Sequence, residues 1–125
     1  MIVRIDFNSN EAIYIQLRNQ IIIGIANSEI KEGDSLPSVR ELADDIGINM
    51  HTVNKAYSIL KQEGYLKLDR RHGAIIAIDV DKYKAQLEML EEMKVVLAKA
   101  ICRGISQEEA HQMVDAIYDS YLGEE

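Results

Sequence analysis

The stretch "LPSVRELADDIGINMHTVNKAYSILKQEGYL", residues 36–66, leaves the chain few conformational choices. Pro37 disfavours helix at Leu36. Ser38-x-x-Glu41 has the form of a capping box, which predicts a helix starting at Ser38. Leu42, Ala43 and Ile46 give that helix one apolar face, and Gly47 stops it after about two and a half turns. Asn49 can cap a further helix, which runs to about Glu63 before Gly64 ends it. Val53, Ala56, Tyr57 and Leu60 recur at helical spacing and can pack inward, with the Tyr57 hydroxyl at the rim. Met50, His51, Asn54, Lys55, Ser58 and Lys61 point the other way. A short helix, a tight turn with glycine and a longer helix make the outline of a helix-turn-helix.

The flanking segments extend that outline. "YLKLDRRHGAIIAI", residues 65–78, predicts a strand at 65–68, a basic turn at Asp69–Gly73 and a strand at 74–78. Two strands joined by a basic turn directly after a helix-turn-helix make a winged helix. Upstream, apolar residues at 13, 17, 21 and 25 predict an amphipathic helix over 11–28, capped by Ser9 or Asn10. Gly24 inside it costs about 1 kcal/mol relative to alanine, which suggests that it permits close packing. "IVRIDF", residues 2–7, reads as a short extended arm.

From Asp79 the pattern changes. Tyr83, Leu87, Leu90, Leu97 and Ile101 lie near heptad spacing, with Lys94 at the missing step. Gly104 ends this helix, and Ser106-x-x-Glu109 is a second capping box. A last helix, about 107–122, places Ala110, Met113, Val114, Ile117 and Tyr121 on one face. Two helices joined by a short turn form an antiparallel hairpin. An isolated hairpin cannot bury both stripes, so it must dock, most simply on a second copy of itself. The expected fold is mainly α with a small β-wing. A winged helix-turn-helix domain covers 1–78, and a C-terminal helical hairpin for dimerisation covers 79–125.

The net charge of the 125-residue chain is −7, but its distribution matters more than its sum. Residues 1–78 carry nine Lys and Arg against ten Asp and Glu, whereas residues 79–125 carry five against eleven. Within 50–73 the balance reverses, with five bases against two acids. A DNA-binding surface needs only local positive charge.

The same residues resemble a known family. "LPSVRELADDIGINMHTVNKAYSILKQEGYL" is similar to the signature of the GntR family of bacterial transcription regulators, and "IYIQLRNQIIIGIANSEIKEGDSLPS" to the segment preceding it there. The likeness covers residues 10–78, and the short two-helix remainder resembles the YtrA-type subfamily. The resemblance implies a dimeric repressor that binds an inverted repeat. It also implies DNA contacts at Ser38 and Arg40, at Asn49–Asn54 and at the wing tip Arg70–Gly73. Three places depart from the family pattern. Glu11–Ala12 stands where "xP" commonly precedes "IY", Met50 stands where Pro or Arg is frequent, and the wing reads "RRHGAIIA" rather than "GxGTFVA". These bear on base preference and wing insertion, not on the fold.

The chemistry of the residues fits those roles. Ser38 caps its helix, and the exposed N-terminus so created offers backbone N–H groups to a phosphate. Arg40 can grip a phosphate or a guanine edge with its planar guanidinium; the alternative is a surface ion pair with Asp44. A recognition helix brings its first residues to base edges, which selects Asn49, Met50, His51, Thr52 and Asn54. Asn can pair bidentately with adenine, Met50 can pack on a thymine methyl, and Thr52 can help to cap the helix. Lys55 fits a phosphate clamp better than a base reader. Arg70, Arg71 and His72 form a wing turn suited to the minor groove, and Gly73 allows that turn to be tight. For dimerisation the candidates are Tyr83, Leu87, Leu90, Leu97, Ile101, Met113, Ile117 and Tyr121.

Other classes find little support. His51, His72 and His111 lack metal-ligand spacing, and Cys102 is the one cysteine, so neither a metal site nor an intrachain disulfide is expected. Cys102 lies on an apolar helical stretch and is expected to be buried. With no nucleophile–base pair and no phosphate-binding glycine loop, no enzyme and no cofactor are expected. No apolar run is long enough to span a membrane, and a cytoplasmic location is expected. Two alternative roles remain, a protein-interaction module and a ligand sensor. The residues after Ile78 are too few to enclose a drug-sized pocket in one subunit. A small-molecule effector would therefore sit at the dimer interface or between the hairpin and the DNA-binding domain.

Overall fold

The computed structural model describes residues 3–123. Five helices and one two-stranded antiparallel sheet are formed among them, in the order α1 (Ile13–Ala26), α2 (Val39–Ile46), α3 (Met50–Gln62), β1 (Leu66–Asp69), β2 (Gly73–Ile76), α4 (Lys82–Cys102) and α5 (Gln107–Leu122). The chain divides into two compact units between Asp79 and Val80.

The first unit is a winged helix-turn-helix. Its core draws on every element: Leu17 and Ile21 from α1, Leu42 and Ala43 from α2, Val53, Ala56, Tyr57 and Leu60 from α3, and Leu66, Ala74 and Ile76 from the sheet. These are the inward positions that the helical spacing selects, so the amphipathic pattern is satisfied inside this unit. Gly24 sits on the core side of α1, where an added Cβ would lie 2.8 Å from Ile30 Cδ1. The missing side chain lets the segment after α1 fold back, and Ile30 N–H donates to Gly24 C=O at 3.0 Å.

Helix α1 begins later than its capping pattern predicts. Neither Ser9 nor Asn10 caps it; the N-cap is Ala12, with no side-chain bond. The Ser9 hydroxyl accepts from Glu11 N–H instead, which closes a turn before the helix. The entry is held by Gln16, whose side-chain amide donates to the carbonyls of Asp6 and Glu11, both at 3.0 Å, and accepts from Asp6 N–H. Gln20 similarly exchanges bonds with the backbone of Arg4. The described part of the N-terminal arm is thus pinned along α1 by two glutamines, without forming a strand. Ile2, the first residue of the expected arm, lies outside the described residues.

The sheet pairs Leu66 with Ile76, Lys67 with Ile75, Leu68 with Ala74 and Asp69 with Gly73; β1 lies one residue later than expected, and β2 starts one residue earlier and ends two earlier. Its second edge is not bare. Gly33 N–H donates to Ile76 C=O and Leu36 N–H to Ala74 C=O, both at 2.8 Å, while Asp34 C=O accepts from Ile76 N–H. A short third rung centred on Ser35 and Ile75 therefore joins the wing to the chain entering α2.

In the second unit α4 and α5 follow one another across the short turn at 103–106 but touch only sparsely, so the closely packed antiparallel hairpin expected from the sequence is not formed within one chain. Asp81 caps α4, and Ser106 with Glu109 closes a full capping box at α5. Neither helix buries a residue. Cys102 is exposed, contrary to the sequence expectation. Its stretch is apolar, but α4 and α5 pack so sparsely on each other that neither covers the other's apolar face.

Candidate nucleic-acid interface

Helix α2 starts where the chain leaves Pro37. Ser38 is extended and its hydroxyl accepts from Glu41 N–H at 3.1 Å. Only the serine half of the expected capping box forms. Arg40, in the first turn, is exposed, and among the described residues it forms no ion pair with Asp44. Gly47 adopts a left-handed φ of 80°, which ends α2.

Helix α3 is capped by Asn49, whose Oδ1 accepts from His51 N–H at 2.7 Å. That bond uses the carbonyl end of the amide of an exposed residue. Met50, His51 and Asn54 are exposed and, with Asn49 and Val39, line one broad concavity between the starts of α2 and α3. Val39 was not singled out in the sequence; its place between a cap and an exposed arginine was the available signal. Thr52 is half-buried and is not the cap, so it offers the surface less than its neighbours. The Lys55 ammonium lies 4.0 Å from the centre of the Tyr14 ring on α1. This cation–π contact holds the lysine against α1 and positions its charge at the edge of the same face.

The wing turn is organised by Asp69. Its Oδ1 accepts from Arg71 N–H at 2.7 Å, and its Oδ2 lies 3.4 Å from His72 Nδ1. The Arg71 N–H first, and then the His72 ring, hold the Asp69 carboxyl below its ordinary range. Arg70, Arg71 and His72 are exposed at the tip, and Gly73 takes a φ of 73° to return the chain. The rung between residues 33–36 and β2 ties this wing to the entry of α2.

The second unit offers a surface of a different kind. Leu87 is 50% exposed, Leu90 52% and Ile101 76%; Tyr83, Leu97, Met113 and Ile117 are exposed as well, and Tyr121 is half-buried. Ala100, Ile105, Ala110 and Val114 floor two open apolar grooves where the helices meet. Among the described residues no group of three or more His, Cys, Asp or Glu side chains is placed to hold a metal ion. No described helix is long and apolar enough to cross a membrane.

Comparison with known proteins places this arrangement. The family model described as "Bacterial regulatory proteins, gntR family" matches residues 10–76. The HTH-type transcriptional repressor YtrA of Bacillus subtilis is 33% identical over 118 residues, 92% of this chain and 91% of that protein. The crystal structure described as a transcriptional antiterminator from Listeria monocytogenes EGD-e superposes with a TM-score of 0.87 at 27% identity, over 98% of this chain and 93% of that one. AraR(DBD), in complex with operator ORE1, superposes with a TM-score of 0.50 at 25% identity, over 59% of this chain and 93% of that one.

Proposed function

Since the chain belongs to the gntR family of bacterial regulatory proteins, and is thereby a DNA-binding transcription regulator rather than an enzyme, we propose that it is a homodimeric repressor of an inverted-repeat operator. In each subunit α3 lies in a major groove, with Asn49, Met50, His51 and Asn54 at base edges. Arg40 grips the backbone or a guanine beside them, Lys55 neutralises a phosphate, and Arg70 and Arg71 reach the adjacent minor groove. Residues Tyr83–Ile101 of α4 and Met113–Tyr121 of α5 pair with the same residues of a second copy. The single observation that carries this reading is the shared concavity at the starts of α2 and α3, whose exposed side chains are those that the motif assigns to DNA. Repression is supported by the likeness to the B. subtilis repressor, and operator binding by the likeness to AraR(DBD).

Selection of bound duplexes from random DNA tests the proposal. Two half-sites in inverted order, with centres about one helical turn or a multiple of it apart (roughly 34 Å per turn), are the expected product. Affinity for the recovered duplex should fall steeply as salt rises, because neutralised phosphates release counterions. Recovery of no motif, or of a single unrepeated half-site bound by one chain, would overturn it.

A further inference from the structure

Tyr57 is the one core side chain on the inner face of α3 that carries a hydroxyl, and the molecule uses it. The residue is only 4% exposed, and its hydroxyl donates to Pro37 C=O at 2.8 Å, across twenty residues of sequence. Pro37 immediately precedes Ser38, the cap of α2, and Arg40 follows two residues later. The bond therefore joins the middle of α3 to the point from which Arg40 is launched. The other fixed point of that segment is Leu36, whose N–H is bonded to β2. Between Leu36 and Ser38 the chain is held from one side by the wing and from the other by Tyr57.

We propose that Tyr57 is a positioning residue for DNA recognition: its hydroxyl sets the pose of the first turn of α2, and hence of Arg40, against α3. This rests on the docking proposed above, in which Arg40 and the start of α3 engage one duplex. Core packing alone does not need the hydroxyl, since phenylalanine fills nearly the same volume. Burial, and then the nearby Glu41 carboxylate, push the phenol upward in pKa. The phenol thus stays a neutral donor across the range in which the protein works, and the bond does not switch with pH.

A double-mutant cycle tests the idea on the duplex recovered by selection. Affinity is measured for the full chain, for Tyr57→Phe, for Arg40→Ala and for the double variant, at a temperature where circular dichroism shows all four folded. Tyr57→Phe should weaken operator binding roughly fivefold, the effect of one neutral hydrogen bond. In the Arg40→Ala background the same change should cost less than about twofold, because the group it positions is gone. Amide exchange at Arg40 and Glu41 should speed up in Tyr57→Phe, while exchange of the α3 core stays slow. A phenol that merely stabilises the fold would lower the melting temperature and leave no coupling. Equal losses from Tyr57→Phe in both backgrounds, or no loss in either, would overturn the positioning role and leave the docking intact. An unchanged affinity in Arg40→Ala would instead remove the docking of Arg40 itself.

Discussion

Replacing Leu90 by glutamate tests the proposed pairing through α4 and α5. Leu90 lies in α4, a helix with no buried residue, and is 52% exposed. Glutamate has nearly the helix propensity of leucine, so α4 should form in the variant. The first unit keeps its core, since none of its buried residues belongs to α4. In a symmetric pair each substitution occurs twice. Burying the exposed half of a leucine is worth about 1 kcal/mol, so two copies forfeit about 2 kcal/mol. Two carboxylates must also be desolvated or protonated at the interface, which adds a few kcal/mol more. The sum, about 5 kcal/mol, corresponds to a loss of about 10³-fold or more in dimer stability. Sedimentation equilibrium should show a dimer for the natural chain and a monomer for Leu90→Glu at micromolar concentration. Circular dichroism should be nearly unchanged, and affinity for the full inverted repeat should fall towards that of one half-site. A variant that stays dimeric and binds the repeat normally would refute the pairing through this face.

Other outcomes follow from the same geometry. Ile21→Ala, at a fully buried site, should lose about 3 kcal/mol in denaturant unfolding of the first unit. Gly64→Ala should cost about 2 kcal/mol, because φ is +88° and the added Cβ would meet Asp79 Cβ at 2.8 Å; a neutral result in thermal unfolding would contradict that backbone. Asp69 and Glu109 both have carboxyls held below their ordinary range, by the Arg71 N–H and then His72 in one case and by the Ser106 backbone and then its hydroxyl in the other. Their contribution to stability is present above the unfolded carboxyl pKa of about 4 and is lost as pH falls through the lower folded values. Unfolding measured from pH 5 downward should therefore show a smaller acid loss in the double variant Asp69→Asn, Glu109→Gln. An identical pH dependence would contradict the assignment.

How much of this was legible in the sequence depends on how far apart the interacting groups lie. Caps are local: Ser38 to Glu41, Asn49 to His51 and Ser106 to Glu109 each span three residues or fewer, and helix starts were read correctly from all of them. The start of α1 differs from its local capping pattern because its control is not local. Gln16 reaches back to Asp6 and Glu11, and Ser9 spends its hydroxyl on a turn. The rung between residues 33–36 and β2 left no signal either, since a single bridge is too short to show alternation. The candidate interface divides in the same way. Asn49, Met50, His51 and Asn54 were visible as the outer face of one helix. The contact of Lys55 with Tyr14, and that of Tyr57 with Pro37, join residues with no pattern between them.

Cys102 marks where the limit is physical rather than statistical. Periodicity correctly identified its stretch as apolar, and burial was inferred from that. In the first unit the inference succeeds, because α1, α2, α3 and the sheet supply one another's cover within 79 residues. In the second unit it fails, although Leu87, Leu90 and Ile101 are as apolar as Leu17 and Ile21. Two helices that barely touch bury nothing between them, and a domain core needs at least two packed layers. An apolar stripe states that a face must be covered; it does not state whose atoms cover it. When a stripe is regular, the helices well capped and the face still open, a second copy of the same face is the layer that the proposal above supplies. That is the physical reason for assigning α4 and α5 to self-association, and for expecting one charged side chain at Leu90 to undo it without unfolding either unit.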